Sequence, residues 1–453
     1  MEASSGDDLA QAAREAMHVA NAAAAAFPIW SALPPGERRA RLFRAADMLE
    51  ARSAELVQLM RDEVGASQAW ADFNISTGAG MLREAGSLTT QINGTVLPSN
   101  RPGVTAFGLR QPAGVVLGIA PWNAPVVLAV RAVAMPLACG NTVILKASEI
   151  CPGTHSLVAE ILIDAGIDRD ALGVVVNEPH LAADMVEALI AHPAVRRVNF
   201  TGSTRIGRLV AVTAARHLKP ALLELGGKAP LLVLDDADLD QAVEAAAFGS
   251  FMNQGQICMS TEKIVVDEKL ADAFGEQLAR RARQLAASPG HSATGPVVGF
   301  EAVERIGGLI TDAVQKGARV LAGGRVSGTC IDATVLDLVT PNMRIYGEEC
   351  FGPVVSLIRV HGDDEAVRVA NDTEYGLASA VFSRDVQRAL NVARRLETGI
   401  CHVNGATVDD EPHMPFGGMK SSGYGRFGGM FAIDEFTEMR WVTVASQPRT
   451  YPG

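Results

Sequence analysis

Val115-Val116-Leu117-Gly118-Ile119 is a short apolar run that opens a repeating order of strand and helix patterns. Helical stretches separate it from four further apolar runs. Those runs are 142–145, 173–176, 195–200 and 221–225. Their apolar residues are mostly consecutive rather than alternate, which is typical of strands buried on both faces. The sequence therefore predicts an α/β fold with a mostly parallel sheet.

The rest of the chain extends this pattern in both directions. A second set of apolar runs lies at 231–234, 264–266, 354–360, 380–382 and 400–403, and the run 440–445 follows as a lone strand. Upstream, residues 8–91 repeat apolar side chains at helical spacing. Short β-prone runs at 95–97 and 104–107 indicate a hairpin-like arm. We expect two α/β units joined by a β arm.

Composition and charge exclude several classes of partner. The chain has 453 residues, which suggests two or three domains, and its hydrophobic content of 48% is ordinary for a soluble enzyme. The net charge of −11 opposes binding to nucleic acid or to an anionic membrane, because both call for a basic face. Residues 1–8 are acidic, and no basic segment precedes an apolar core, so we expect no signal peptide.

One uncharged stretch, residues 111–130, is long enough to cross a bilayer. Three prolines, two glycines and an asparagine interrupt it, so we expect a buried strand, a turn and a buried helix, and no membrane partner. The six cysteines form no C-x-x-C pair and are too sparse for a disulfide scaffold, which favours the cytoplasm. Cys401, His402 and His413 lack metal-ligand spacing, so we expect no metal site.

Gln254-Gly255-Gln256-Ile257-Cys258 places a thiol on a loop between a predicted helix and a predicted strand. A helical pattern ends at Phe251, and a short buried strand is predicted at 263–266. Loops between rigid elements often carry reactive side chains. A free thiol has a pKa of about 8.5, so a nucleophilic Cys258 needs a neighbouring group that stabilises the thiolate. The alternative on this loop alone is an inert buried cysteine.

Three further segments bear on phosphate or ribose binding. Asn199-Phe200-Thr201-Gly202-Ser203-Thr204-Arg205-Ile206-Gly207 ends a strand and opens a helix, which suits a pyrophosphate or, alternatively, is a plain tight turn. Lys146-Ala147-Ser148-Glu149 directly follows the strand at 142–145, so it either reaches a ribose or is a solvated charge pair. A G-x-G-x-x-G pattern at 423–428 follows no apolar strand, so we interpret it as a flexible loop.

Seven motifs together resemble the NAD(P)-dependent aldehyde dehydrogenase superfamily across essentially the whole chain. They are Pro121-Trp122-Asn123, segments 146–149 and 200–207, Leu223-Glu224-Leu225-Gly226-Gly227-Lys228, Gly255-Gln256-Ile257-Cys258, Glu349-Cys350-Phe351-Gly352-Pro353 and Pro415-Phe416-Gly417-Gly418. Each pattern is weak alone, but all seven occur in the family's order. Segments such as PALLELGGKAPLLVLDDADL and PFGGMKSSGYGRFGG are similar to bacterial salicylaldehyde dehydrogenases and related aromatic aldehyde dehydrogenases.

The resemblance implies a catalytic role for three residues. Cys258 would attack the aldehyde carbon, and Asn123, with the backbone N–H of Cys258, would stabilise the oxyanion, each donor contributing about 3–4 kcal/mol. Glu224 would activate the water that hydrolyses the resulting thioester. Its burial in an apolar strand would raise its pKa toward that of a useful base. On the residues alone, Asn123 is equally a turn residue and Glu224 a paired structural carboxylate.

The resemblance also implies NAD as cofactor and a set of residues that bind it. Gly202, Ser203 and Gly207 would line the pyrophosphate. The full set is Ile119, Trp122, Lys146, Ser148, Glu149, Gly202, Ser203, Gly207, Leu225, Glu349 and Phe351. Lys146 and Glu149 would hold the adenosine ribose, and a carboxylate facing the 2′-hydroxyl favours NAD over NADP.

In the same set, Glu349 would hold the nicotinamide ribose, and Phe351 would pack beside it. Ile119 and Trp122 would border the nicotinamide pocket.

The chain departs from the family pattern in three places. Phe427 stands where many members carry a glutamate, so an acid that could relay protons there is absent. Asn177-Glu178-Pro179-His180 stands where glycines commonly follow the strand at 174–176 in the family, so the family's adenine contacts are not carried over to this segment. The N-terminus is short for the family.

The residues on either side of Cys258 indicate which class of aldehyde the protein accepts. A semialdehyde with a carboxylate would usually need a basic anchor, whereas Ile257 and Met259 beside the thiol are apolar. An uncharged aromatic aldehyde fits better, with Trp70 and Tyr424 as pocket residues by resemblance or, alternatively, as ordinary packing residues. The competing functions are an aliphatic or semialdehyde dehydrogenase, a CoA-acylating dehydrogenase, a cysteine hydrolase, and a non-catalytic binding protein on this scaffold.

By resemblance, the fold is aldehyde dehydrogenase-like. Residues 1–91 and 115–226 would form the Rossmann-type NAD-binding domain, 227–436 the α/β catalytic domain, and 92–114 with 437–446 an oligomerisation arm. The arm and the closing strand would pair between subunits. Because an unpaired β arm is a liability for a monomer, we expect a homodimer or homotetramer.

Overall fold

A computed structural model describes residues 6–286, 295–448 and 451 of the chain. Residues 1–5 of the predicted acidic start lie outside the described residues. Four helices come first, as the helical spacing of 8–91 predicts: α1 (Gly6–Ser31), α2 (Pro35–Ala51), α3 (Ser53–Val64) and α4 (Gln68–Leu88). Local capping sets the start of α4, since Ser67 Oγ accepts the Trp70 N–H at 3.2 Å. This helix packs against α2 and later provides one wall of the site.

The next strands form an arm sheet and the first α/β unit. The arm strands are β1 (Thr95–Leu97) and β2 (Val104–Pro112). The α/β unit contains β3 (Val115–Ile119), α5 (Pro125–Ala138), β4 (Thr142–Lys146), α6 (Pro152–Asp164), β5 (Leu172–Val175), α7 (Ala182–Ala191), β6 (Val195–Thr201), α8 (Thr204–Arg216) and β7 (Ala221–Glu224). The predicted strands of the α/β unit lie within a residue or two of these bounds, whereas β2 extends five residues beyond the predicted run 104–107. The uncharged stretch 111–130 is thus a buried strand, a turn and the start of a buried helix, as predicted.

The second α/β unit follows without a break. It contains β8 (Ala229–Val233), α9 (Leu239–Phe251), β9 (Thr261–Asp267), α10 (Glu268–Ala286), α11 (Phe300–Gln315), β10 (Arg319–Ala322), β11 (Val326–Ser327), β12 (Cys330–Ile331), β13 (Thr334–Asp337), α12 (Arg344–Gly347), β14 (Val354–Val360), α13 (Gly362–Asn371), β15 (Ala378–Phe382), α14 (Val386–Ala393) and β16 (Ile400–Val403). The last elements are β17 (Gly423–Tyr424), α15 (Ala432–Glu435) and β18 (Thr437–Ala445). The predicted second set of strands is confirmed.

Two mostly parallel sheets organise these elements. The first has the order β17-β7-β6-β3-β4-β5, and only β17 runs antiparallel. The second has the order β10-β13-β14-β9-β8-β15-β16, with β10 as its antiparallel edge. In the first sheet the chain goes from β3 outward to β5 and then returns to β6 on the other side of β3. Ligands of open α/β sheets bind at the carboxyl ends of strands at such a reversal, here beside β3 and β6.

Two expectations about the end of the chain are changed by the structure. The G-x-G-x-x-G segment is not simply a flexible loop, because Gly423 and Tyr424 form β17 and pair with Glu224 and Leu223 of β7. The closing strand β18 pairs with β2 of the same chain along its whole length, from Thr437 opposite Pro112 to Ala445 opposite Val104. The predicted arm and closing strand are therefore one three-stranded sheet, β1-β2-β18.

Across the described residues, no single helix has both the length and the apolar character needed to cross a bilayer. One bent pair, Gln11–Ser31 with Pro35–Ala51, passes by length and composition alone, and its two helices meet at 119°.

Candidate active site

One cavity of about 970 Å³ lies where the two α/β units meet. Its walls come from the ends of β6 and β7, from the loop before β9, from the segment 341–351 before β14, and from α4 and α5. Cys258, Glu224 and Asn123 all line it. The three residues that the sequence predicts as catalytic are thus brought together from distant parts of the chain.

Cys258 lies on a loop that is fixed by its neighbours. Asn253 and Gln254 adopt left-handed conformations, with φ of 48° and 55°. Gly255, with φ of +69°, passes so close to the neighbouring backbone that a Cβ would lie 2.2 Å from the Gly352 oxygen. Gln256 Oε1 accepts the Val298 N–H at 2.9 Å. The loop is therefore held rigidly between α9 and β9, as expected for a reactive thiol.

Asn123 is aimed at this loop by several hydrogen bonds. Its Nδ2 donates to the Gln256 carbonyl at 3.0 Å. Its own carbonyl accepts from Trp70 Nε1 at 2.9 Å and from Asn253 Nδ2 at 3.1 Å. An amide has two N–H donors, so the second can face a reacting oxygen in the cavity. This geometry suits an oxyanion donor better than a turn residue.

Glu224 ends β7 and is only 1% exposed. Neither carboxylate oxygen has a hydrogen-bond partner of ordinary geometry in the described part of the chain, and the side chain that Glu224 approaches is the Cys258 thiol. This surrounding favours a functional carboxyl group over a paired structural one. Burial raises the pKa of Glu224 to about 7, and the charge of Arg131 opposes this shift. An orphaned buried carboxyl beside a cavity is a strong candidate for a functional acid or base.

The thiol environment differs from the expectation. Burial, followed by the charge of Glu224, raises the pKa of Cys258 well above its ordinary value, and Arg131 only partly offsets this. Among the described residues, Arg131 is a cation that favours the thiolate, and its effect is smaller than those of burial and Glu224. Cys258 rests as a thiol next to a carboxyl group whose pKa is near neutrality. Such a pair needs proton transfer from sulfur to carboxylate before attack.

Sequence reasoning missed a buried ion pair at the cavity wall. Arg131 on α5 pairs with Asp410, both side chains are nearly inaccessible, and both line the cavity. The Arg131 guanidinium carbon lies 4.0 Å from the centre of the Phe416 ring. The available signal was a lone charge in an otherwise apolar helix, directly after the uncharged stretch. Its partner, 279 residues away, left no local signal.

The predicted cofactor residues fall into two groups. Those that line the cavity are Trp122, Gly202, Ser203, Leu225, Glu349 and Phe351, whereas Ile119, Lys146, Ser148, Glu149 and Gly207 lie outside its lining. Ile119 and Lys146 are paired opposite each other at the carboxyl ends of β3 and β4. Gly207 packs against Leu225, which lines the cavity, and a Cβ at this position would lie 2.3 Å from a Leu225 methyl carbon. Its predicted contact with a pyrophosphate stays a prediction.

The start of α8 fits a pyrophosphate. Thr201 to Arg205 line the cavity, and Ser203 caps the helix by accepting the Ile206 N–H at 3.4 Å. Gly202 is packed so tightly on Phe200 that a Cβ would lie 2.6 Å from its ring. The N-terminus of this thirteen-residue helix lies at the cavity wall, shortly after the small residue Gly202. The free N–H groups and the dipole at such a helix start favour an anion.

A lysine and a carboxylate lie along the same sheet edge, at the end of β4. Lys146 Nζ contacts Glu149 Oε2 at 3.0 Å, with the lysine buried and the glutamate part-exposed. Burial opposes ionisation of Glu149, but a backbone hydrogen bond and Lys146 outweigh it and lower its pKa below the ordinary value. Glu149 is therefore ionised near neutral pH and can accept hydrogen bonds from ribose hydroxyls.

Glu349 and Phe351 stand on the opposite wall. The Phe351 ring meets Trp122 edge-on, with centroids 5.9 Å apart and planes at 87°. Glu349 Oε1 accepts the Gly227 N–H at 2.8 Å. Burial and the charge of Glu262 raise the pKa of Glu349 to about 8.

The far end of the cavity is apolar and aromatic. Trp70 and Phe73 stack on α4 with centroids 5.2 Å apart. The other apolar residues of this lining include Val127, Leu128, Ile257, Met259, Val408 and Phe416. Tyr424 is half-exposed on β17 and does not line the cavity, so its predicted place in the pocket is wrong. Across the described residues, no group of three or more His, Cys, Asp or Glu side chains could hold a metal ion.

A thiol, a near-neutral carboxyl group and an amide at the mouth of a nucleotide-type crevice define a cysteine-dependent oxidoreductase of the α/β class. Comparison with known proteins identifies the family to which the chain belongs. A sequence profile of the aldehyde dehydrogenase family matches residues 7–442. The chain belongs to the aldehyde dehydrogenase family.

Several relatives of the chain are named as dehydrogenases of aromatic aldehydes. It is 58% identical to a vanillin dehydrogenase of Pseudomonas fluorescens over 95% of this chain and 90% of that protein. It is 48% identical to a salicylaldehyde dehydrogenase of Pseudomonas putida over 97% and 92% of the two chains. A solved structure of a salicylaldehyde dehydrogenase from Pseudomonas putida G7, complexed with salicylaldehyde, superposes with a TM-score of 0.95 at 47% identity, covering 97% of this chain and 92% of that one.

Proposed function

We propose that this protein oxidises an aromatic aldehyde to the carboxylic acid with NAD, through a thiohemiacetal and a thioester on Cys258. The observation that carries the proposal is the convergence of Cys258, Glu224 and Asn123 on one cavity with an aromatic end and an anion-binding end. The names of the relatives support the substrate class, since they include vanillin, salicylaldehyde and benzaldehyde dehydrogenases.

The first step is the addition of sulfur to the aldehyde carbon. Glu224, whose pKa is about 7, is partly ionised at neutral pH and accepts the thiol proton. The sulfur then forms a bond to the carbonyl carbon, and the carbonyl oxygen takes the negative charge. Asn123 Nδ2 and the Cys258 N–H donate to that oxygen, and each such donor is worth about 3–4 kcal/mol.

The second half releases the acid. NAD, when bound, supplies the acceptor for the hydrogen and electron pair that leave the thiohemiacetal carbon. A thioester on Cys258 remains. Glu224 releases the thiol proton to water in the cavity and then takes a proton from the water molecule whose oxygen adds to the thioester carbon. The C–S bond breaks, the carboxylic acid is released, and the leaving sulfur takes the proton back from Glu224. The same carboxyl group serves both proton transfers because its burial keeps its pKa close to neutrality.

The apolar end of the cavity supports an aromatic substrate. The stacked Trp70 and Phe73 rings offer a flat face to an aryl ring. The charge of Arg131 acts on both Glu224 and Cys258, and Asp410 already neutralises it, so Arg131 offers no free charge to a carboxylate tail. We therefore expect higher kcat/KM for salicylaldehyde, vanillin or benzaldehyde than for succinate semialdehyde. The reverse ranking would favour the semialdehyde alternative.

NAD rather than NADP is the second part of the proposal. Family membership implies NAD(P), and the ionised Glu149 beside Lys146 favours a ribose with a free 2′-hydroxyl. The test is the ratio of kcat/KM for NAD to that for NADP in the wild type and in Glu149→Gln. Removal of the charge should lower the ratio. A wild-type preference for NADP would contradict this part.

The remaining assignments concern assembly and compartment. We propose the domain limits predicted from the sequence, and a homodimer or homotetramer that forms through the arm. Support comes from apolar side chains exposed on the arm sheet, such as Val96, Met439 and Trp441, the last being 76% exposed. Light scattering that shows only monomer would contradict the proposed oligomer.

Six unpaired cysteines support a reducing compartment such as the cytoplasm.

The deciding experiment measures NADH formation over a panel of aldehydes with the wild type, Cys258→Ser and Glu224→Gln. We expect Cys258→Ser to abolish turnover. Glu224→Gln should lose steady-state turnover because the thioester is not hydrolysed. A single burst of NADH should be retained, but it should form more slowly than in the wild type, because the thiol then loses its proton to water instead of to Glu224. Full steady turnover in that variant would remove Glu224 from the mechanism. No NADH from any aldehyde with the wild type would refute the function.

A further inference from the structure

Two backbone segments are tied together on the wall where Glu349 lies. Segment 226–228 follows Glu224, and segment 349–351 precedes β14. The Gly227 N–H donates to Glu349 Oε1 at 2.8 Å. A Cβ at Gly226 would lie 2.6 Å from Glu349 Oε2, so the carboxylate rests directly on this backbone. The position of Glu349 thus depends on how the two segments are held relative to each other.

Glu262 forms a second set of hydrogen bonds between the same two segments. It lies on β9, shortly after Cys258. Its Oε1 accepts the N–H groups of Cys350 and Phe351 at 3.0 and 2.8 Å. Its Oε2 accepts the Cys350 N–H at 2.8 Å and contacts the Lys228 ammonium at 2.7 Å. The Lys228 and Glu262 side chains are 0% and 3% exposed, so the pair is enclosed within the protein.

The backbone of Phe351 is strained and therefore requires contacts that hold its conformation. Its φ of 46° lies in the left-handed region, which is unfavourable for a residue with a side chain. Such conformations persist only when surrounding contacts hold them, and they cluster at functional sites. The hydrogen bond from the Phe351 N–H to Glu262 is one such contact. The direction of the Phe351 ring, which meets Trp122 in the cavity wall, therefore follows from it.

We propose that Glu262 and Lys228 are positioning residues for the cofactor. Their buried pair holds Glu349 and Phe351 in place at the nicotinamide end of the cavity. The proposal rests on the use of NAD put forward above. Neither residue lines the cavity, so both act through the segment 349–351 rather than on the reacting atoms.

The charged character of the pair has a physical reason. A buried ion pair is rarely more stabilising than two apolar side chains of the same size. The N–H groups of residues 350 and 351 nevertheless need acceptors, and a carboxylate supplies them if its charge is compensated. Lys228 provides that compensation. The neighbouring Lys263 points elsewhere and donates to the Asp372 carbonyl at 3.0 Å.

The first test is Glu262→Gln in the full-length protein. The amide keeps one acceptor but loses the second acceptor and the ion pair. We expect a dissociation constant for NAD about tenfold higher, the effect of losing one charge-assisted hydrogen bond. Quenching of tryptophan fluorescence by NAD without aldehyde measures it, because Trp122 lies beside Phe351. KM for NAD should rise in parallel. KM for the aldehyde and the rate of Cys258 alkylation by iodoacetamide in NAD-free protein should not change.

Two further variants separate positioning from general destabilisation. Asp337→Asn is the matched control, since Asp337 is a buried carboxylate of the same sheet that pairs with Arg319 and Arg359. It should leave NAD affinity unchanged. Glu262→Leu combined with Lys228→Met removes both charges and keeps the volume. We expect it to fold, yet to bind NAD at least as weakly as Glu262→Gln, because no acceptor remains for the N–H groups of residues 350 and 351.

The outcomes distinguish the two proposals. Wild-type affinity for NAD in Glu262→Gln or in the folded double variant would overturn the positioning role. Loss of a cooperative melting transition in both would show that the pair holds the whole fold, which also overturns it. A wild type that binds NAD but oxidises no aromatic aldehyde would refute the proposed function, and the binding data would still decide the role of the pair.

Discussion

Replacing Glu224 by Gln should remove activity and at the same time stabilise the protein at neutral and alkaline pH. Burial raises the pKa of Glu224 from 4.5 to about 7 in the folded state. Between these values the unfolded chain loses its proton while the folded chain keeps it. Stability therefore falls as pH rises from about 4.5 to about 7 and is then constant. At about 1.4 kcal/mol per pH unit, the wild type loses about 3 kcal/mol over this range.

The glutamine variant has no such titration, so its free energy of unfolding should escape this loss. Urea unfolding of both proteins at about pH 4 and about pH 8 measures the difference, because all other groups titrate in both. The variant's advantage over the wild type should grow by about 3 kcal/mol between the two values. Glu276→Gln, on the exposed face of α10, is the control and should show no such growth.

The same titration should govern turnover. The kcat of the wild type should rise with pH through about 7, because only ionised Glu224 accepts a proton. A stability difference that does not change with pH, or a kcat that is flat across this range, would refute the assignment of a near-neutral pKa to Glu224.

Three other changes test neighbouring parts of the site. Asn123→Ala should lower kcat about 10²–10³-fold through loss of an oxyanion donor, and a rate close to the wild type would exclude that role. Arg131→Met should shift the rise of kcat to higher pH, because its charge lowers the pKa of Glu224, and should cost about 3–5 kcal/mol in urea unfolding since Asp410 is left unpaired. An unshifted pH profile would contradict this. Gly255→Ala should lower Tm, because φ is +69° and a Cβ meets a backbone oxygen at 2.2 Å; an unchanged Tm would mean that the loop can move aside.

Much of the fold was predictable because its strands are short, continuous apolar runs. The bounds of β3 match the run at 115–119, and β14 matches 354–360. The site was predictable only through family motifs, since Asn123, Glu224 and Cys258 are far apart in the chain. Spacing alone left an inert cysteine and a structural carboxylate as equal alternatives.

What the sequence could not provide depends on three-dimensional surroundings. The raised pKa of Cys258 results from enclosure and from Glu224, and neither is visible around residue 258 in the chain. Arg131 and Asp410 meet across 279 residues. Gly207 matches the motif, and the structure adds that a Cβ there would meet the Leu225 side chain. In each case the deciding partner comes from a distant segment.

The pairing of β18 with β2 has a consequence for biosynthesis. Arg110 and Thr437 are 327 positions apart, so the ribosome produces β2 long before its partner. Throughout that interval β2 has an open edge that can recruit other nascent chains. Both α/β units must emerge before the arm sheet can be completed. Synthesis of β18, rather than of either α/β unit, should therefore be the moment at which this edge of β2 is no longer open to other chains.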